Sequence, residues 1–358
     1  MNLTDYIDNR LMDMQKLLDS LLEAGLEEGC YPGAAAACGC KDEVFAISTV
    51  GKIADDRTGV DRYTRYDMAS LTKLLAPTML AFQALEKGDL TLWDTLERYF
   101  DDMPQDKADI SIFHLMTHTS GLEPSLRLER FNPDPAQAMR VILESKLLCR
   151  PGTEPNYSCM GYITLGKILE RIYGEPLNVL AEKRVFAPLG MQNTGYLPKG
   201  SNIAATEIDP DTGKALQGVV HDENARFLSG VSGNAGVFSD IGDMIKFARM
   251  LSKGGDGFIN PAIFRKALVN YTPQSETHRG LGFHLLDSGC SFMGDLFPEG
   301  SFGHTGFTGT SLVVDPSTGF YVIILSNRVH PTRENLKLMR FRRRAHNVLY
   351  AAFCAGSK

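Results

Sequence analysis

Apolar residues recur at helical spacing in the first stretch of the chain. Leu11, Met14, Leu18, Leu21 and Leu22 share one face, which predicts an amphipathic helix over about 9–28. Tyr31-Pro32-Gly33 closes it, and the pattern changes to that of strands: residues 34–50 predict a pair turned at Lys41-Asp42-Glu43. From 75 to 87 the helical period returns, and helical stretches alternate with Pro- and Gly-containing loops to about 255. Residues 282–286, 311–314 and 321–325 are again short β-rich runs, followed by a last helix with Phe341, Ala345, Val348, Leu349 and Ala352 as its apolar positions. The basic run Arg340-Phe341-Arg342-Arg343-Arg344 is read as the polar side of that helix.

Strands at both ends of the chain with helices between them predict an α+β fold. Its antiparallel sheet, flanked by helices, draws on both chain ends (1–74 and 256–358), and a mostly helical region (75–255) is inserted to give one integrated catalytic domain. Catalytic groups are expected at the seam of the two regions.

Composition narrows the function classes. The chain has 358 residues, 43% hydrophobic and 22% charged, with a formal net charge of -6, so nothing attracts it to nucleic acid or anionic lipid. No stretch is long and apolar enough to cross a membrane, and the acidic, polar start does not have the pattern of a secretory signal. Seven scattered cysteines without C-x-x-C spacing are read as reduced thiols of a cytoplasmic protein. His114 and His118 have the spacing of metal ligands on a helix, but Leu115 stands where a zinc protease carries glutamate, so the segment is read as a structural turn and no metal is expected.

The candidate chemistry starts at Ser70-Leu71-Thr72-Lys73. On a helix opening here, Ser70 and Lys73 lie one turn apart on one face, and a lysine whose pKa is lowered by burial can take the serine proton. A chance S-x-x-K is common, so partners must carry the reading. One is Tyr157, in a polar turn before the helical pattern 163–172, where a phenol near an ammonium can act as second base or acid. Another is Gly303-His304-Thr305-Gly306-Phe307-Thr308-Gly309, a Gly-rich turn before the strand at 311–314 that can offer an oxyanion N–H.

Together, S-x-x-K, then a tyrosine motif, then an H-T-G segment resemble the penicillin-recognising serine hydrolases, in the branch of class C β-lactamases with their related esterases and peptidases. Residues 113–122 are similar to the family's L-x-x-H-T-S-G-L segment, and 186–191 and 236–239 match other recurrent segments. Residues 220–224 and 327–331 look like a subgroup that includes penicillin-binding protein 4B homologues.

The resemblance implies Ser70 as nucleophile, Lys73 as its base partner, Tyr157 as second base or acid, and an oxyanion hole from the backbone N–H groups of Ser70 and Phe307. It implies substrate contacts at Cys159, His304, Thr305 and Gly306, and no metal or organic cofactor. His221 and Asp222 are read as either lining the pocket or structural, and Asn234 and Arg328 as either contacting substrate or structural.

Two positions depart from the family pattern. Cys159 replaces the asparagine of Y-x-N, and His304 replaces the lysine of K-T-G. A thiol is a weak hydrogen-bonding group and a histidine is mostly uncharged at pH 7. Both changes point to an ester or small amide without a free carboxylate, acting through an acyl-enzyme. The alternatives are a DD-peptidase or penicillin-binding protein acting on peptides, a weak β-lactamase, and a catalytically silent binding module.

Overall fold

The computed structural model describes residues 3–54, 58–101, 103–287, 289 and 291–356, with side chains described from residue 13 onward. Cys290, one of the seven cysteines, lies outside the described residues.

The chain opens with α1 (Leu3–Glu27), followed by β1 (Gly33–Cys40) and β2 (Glu43–Gly51). A short strand β3 (Tyr66–Asp67) leads to the helical turn bearing Ser70, then α2 (Met79–Lys87), α3 (Ile112–Met116) and α4 (Cys159–Tyr173). After β4 (Gly195–Tyr196), β5 (Val237–Ser239) and α5 (Ile241–Ser252) come β6 (His284–Leu285), β7 (Phe302–Thr305), β8 (Ser311–Val314), β9 (Phe320–Ser326) and α6 (Lys337–Ala355).

The predicted antiparallel sheet is present and joins the chain ends. Its order is β2-β1-β9-β8-β7-β6, with β1 and β9 paired from Ala34↔Ser326 to Cys40↔Phe320. Strand alternation divides two cores. Ala34, Ala36, Cys38, Val313, Val322 and Ile324 face Leu18 and Leu22 of α1 and Phe341, Ala345 and Leu349 of α6. Ala35, Ala37, Leu312, Val314, Ile323 and Leu325 face the helical side, where α5 lies on the sheet. The alanines of β1 suit a strand covered on both faces, because small side chains let helices approach closely.

Three expectations are corrected. A second sheet of three short strands, β3-β5-β4, joins residues 66–67 to two strands of the 75–255 region; runs of two or three residues carry no readable period. His304 and Thr305 belong to strand β7 and not to a turn. On α6, Arg342 is buried rather than on the polar side, whereas Val348 is 39% exposed.

Candidate active site

Ser70 sits on a tight 3-10 turn, Ala69–Leu71, rather than at the start of a regular helix. Ala69 has φ 46°, a left-handed conformation costing a non-glycine residue about 1–3 kcal/mol, and the surroundings hold it there. Asp67 Oδ1 accepts the Ala69 N–H at 2.8 Å, and its Oδ2 accepts the His221 N–H at 2.7 Å. Beyond Lys73 the helix widens into a π-turn over Leu74–Thr78, where Pro77 supplies no N–H, before α2 becomes regular.

Lys73 is fully buried. Its Nζ lies 3.1 Å from Ser70 Oγ, 3.0 Å from the Asn234 carbonyl and 3.5 Å from Cys159 Sγ. Three acceptors match the three donors of an ammonium. Burial alone pushes its pKa down, but Cys159, Tyr157 and Asp222 outweigh burial, and the net direction is up. The lowering expected from burial is therefore reversed, because acidic groups arrive beside Lys73 from elements that the S-x-x-K motif does not contain.

Tyr157 precedes α4, whose first turn is capped by Ser158: its Oγ accepts the Gly161 N–H at 3.0 Å. The Tyr157 ring centre lies 5.0 Å from Lys73 Nζ and 6.1 Å from the His304 ring. His118 grips the same segment. Its carbonyl accepts the Asn156 N–H at 2.7 Å, its Nδ1 accepts the Ser158 N–H at 3.0 Å, and its ring lies 4.4 Å from that of Tyr157. Burial, with the charges of Arg279 and Lys73, pushes the His118 pKa far down, so the ring stays neutral and Nδ1 remains an acceptor. His118 was visible in the sequence but read as structural only.

On β7, His304 is 4% exposed and points at Tyr157. Burial, Lys73 and Arg279 hold its pKa well below the usual value. Its Nδ1 lies 2.8 Å from the Thr305 carbonyl, which assigns the proton to that nitrogen and leaves Nε2, a buried acceptor, without a partner. No side-chain hydrogen bond joins Thr305 to Ser70, Lys73 or Tyr157 among the described residues.

The turn after β7 is fastened beside the serine. Thr308 Oγ1 donates to the Asp67 carbonyl at 2.7 Å, and Thr310 Oγ1 donates to the Met68 carbonyl at 3.1 Å. A Cβ on Gly306 would collide with Thr310 Oγ1 and the Met68 carbonyl, so this approach requires glycine. Among the described residues, the backbone N–H groups of Ser70 and Phe307 have no hydrogen-bond partner. The Phe307 ring, 49% exposed, stacks 5.6 Å from His221 and lies 4.8 Å from the Arg328 guanidinium.

Sequence reasoning missed Arg279. It comes from the loop after Tyr271, which carries no motif, and its guanidinium lies 5.3 Å from the Tyr157 ring centre. It is 8% exposed and has no carboxylate partner among the described residues.

A serine hydroxyl, an ammonium, a phenol and free N–H groups thus meet at one place, and the beta-lactamase family profile matches residues 18–347. The chain belongs to the beta-lactamase family. As a member it is a serine hydrolase. An Escherichia coli (strain K12) relative provisionally named D-alanyl-D-alanine carboxypeptidase is 31% identical over 303 residues, 75% of this chain and 70% of the relative. Among solved structures, the family fold recurs in EstCE1, described as a hydrolase with promiscuous acyltransferase activity (TM-score 0.76, 22% identity, 97% of this chain and 99% of that one). It recurs again in an octameric penicillin-binding protein homologue from Pyrococcus abyssi (TM-score 0.74, 20% identity, 94% and 77%).

Proposed function

We propose that this hydrolase forms an acyl-enzyme on Ser70 and acts on small amides or peptides whose reacting end carries a carboxylate, with Arg279 as the group that reads it. The observation carrying the substrate class is the buried, unpaired Arg279 guanidinium over Tyr157. A buried cation with no ion pair is costly, Asp287 acts on it only from beyond ion-pair distance, and a substrate carboxylate would supply a direct partner. The name of the Escherichia coli relative supports the same class. The uncharged His304 argued for substrates without a carboxylate; Arg279 offers the site another cation.

In this reading Ser70 Oγ attacks the substrate carbonyl while Lys73 remains an ammonium, holding Oγ by its 3.1 Å bond. The Tyr157 hydroxyl relays the proton, its oxygen taking the serine proton as its own O–H proton passes to the leaving amine. The N–H groups of Ser70 and Phe307 take the developing oxyanion. Water then releases the acyl group by the reverse sequence. No helix of the described residues is long and apolar enough to cross a membrane. We also propose a reducing, cytoplasmic setting, supported by the free thiols of Cys30, Cys38, Cys149, Cys159 and Cys354; cell fractionation with an antibody to the native protein tests it, and recovery outside the cytoplasm would reject it.

The test compares an acyl-D-alanine peptide with its C-terminal amide. Wild type is expected to favour the acid in kcat/KM, and Arg279→Gln to remove the preference by about 10–100-fold, as for loss of a charged hydrogen bond. Equal use of both by wild type, or a preference for the neutral amide, would return the assignment to a carboxylate-independent esterase or amidase, a reading that the neutral His304 favours.

A further inference from the structure

Five cations are buried in the described residues: Lys73, Lys107, Arg279, Arg328 and Arg342. Lys107 pairs with Asp106 at 2.7 Å, Lys73 has three acceptors, and Arg279 faces the active site. Arg328 and Arg342 lie outside the catalytic constellation, and no carboxylate pairs with either among the described residues.

Both converge on one turn. Arg328 runs along Gly309: a Cβ added there would lie 3.1 Å from its Cγ. Its Nη1 donates to the carbonyls of Arg333 (3.1 Å) and Asn335 (2.7 Å), and its Nε has no partner. Arg342, from α6, reaches the next residue. Its Nη2 lies 3.4 Å from the Thr310 carbonyl, and its Nε is also without a partner. Ser311 follows, buried, with its Oγ unpartnered. Register places Ser311 opposite Thr305 and two residues before Val313, whose side chain packs in the α6 core, so alternation turns the serine toward α6 as well. Burial and the Arg328 charge push the Arg342 pKa down to about 10, and no acidic group counters them.

We propose that Arg342 and Arg328, with Ser311 Oγ, form a buried site for a small monovalent inorganic anion, chloride, behind the turn that carries Phe307. Two guanidiniums of like charge without counter-charge are strongly unfavourable in an interior, and one anion offsets both. All three side chains are almost wholly buried, which suits a monatomic ion. The site braces the 306–310 turn from the face opposite His304 and is distinct from the substrate cation Arg279.

Thermal unfolding of the wild-type protein in sodium chloride, bromide, fluoride and gluconate at equal ionic strength tests the proposal. Chloride and bromide should raise Tm saturably, by about 2–4 °C over fluoride and gluconate. General salt effects run the other way, since strongly hydrated anions stabilise more. Arg342→Gln should lose the halide dependence, and Arg340→Gln, an exposed neighbour on the same helix, should keep it. Where Arg342→Gln does not fold, a bromide-soaked wild-type crystal decides, with anomalous density expected within hydrogen-bonding distance of Arg342 and Arg328. Equal Tm in all four salts, or bromide at surface positions only, overturns the proposal in favour of buried water.

Discussion

At the scale of residues, the proposed chemistry rests on Lys73 and His118, both of which lie against Tyr157. Lys73 satisfies three acceptors and its pKa is raised, so in the proposed mechanism its service to Ser70 is to hold and stabilise. His118 fixes Asn156, Tyr157 and Ser158 by two hydrogen bonds and a ring contact, and so acts through Tyr157 as a positioning residue. His118→Ala should lower kcat by about 10–100-fold with little change in KM, since a catalytic group misplaced by about 1 Å loses that much. His118→Asn, which keeps a short acceptor, should recover part of the loss. Steady-state kinetics on one chromogenic ester checks both, and an unchanged kcat in the alanine variant would reduce His118 to packing.

At the scale of elements, the candidate active site is a junction of four segments: the strained turn at Ala69, the entry to α4, the chain before β5 and the end of β7. Gly306 is the tightest joint, because its turn leans on the Met68 carbonyl. Gly306→Ala should reduce kcat by about 10²-fold, the scale of losing one oxyanion donor, while the far-UV circular dichroism remains that of wild type. Long elements were legible in the sequence. Met14, Leu18 and Leu22 of α1 have enough repeats for a period to emerge, and β8 and β9 stand out as short β-rich runs, buried on both faces. The strands β3, β4 and β5 have two or three residues each and were not legible, although β3 delivers the chain to Ser70. Ser70, Lys73 and Tyr157 could be named because a motif surrounds each. Arg279 could not, because its meaning lies in the ring it faces 122 residues back in the chain. Arg342 misled for the converse reason: a run of arginines on a helix reads as a wet face, yet one of them points inward.

At the scale of the whole molecule, buried neutral histidines govern acid stability. Burial, reinforced by neighbouring positive charge, pushes His346 down to about 3 and holds His118 and His304 far below their ordinary value. In the unfolded chain each takes up a proton near pH 6.5, so below that pH the unfolded state binds more protons. Stability is then fully present above about pH 6.5 and falls as the pH drops, by about 1.4 kcal/mol per pH unit for each histidine, until the folded pKa is reached. Urea unfolding between pH 8 and pH 4 should show a decline that starts near pH 6.5. A flat profile down to pH 5 would mean that these rings are protonated without cost in the fold.

The central claim, an acyl-enzyme on Ser70, meets its most direct test in intact-mass analysis after brief exposure to a panel of nitrophenyl esters, D-amino-acid amides and β-lactams, followed by peptide mapping. The predicted result is a mass increase equal to the acyl group, located on Ser70, absent from Ser70→Ala and accompanied there by a fall of at least about a thousandfold in turnover. An adduct on Cys159, or undiminished turnover in Ser70→Ala, would contradict it.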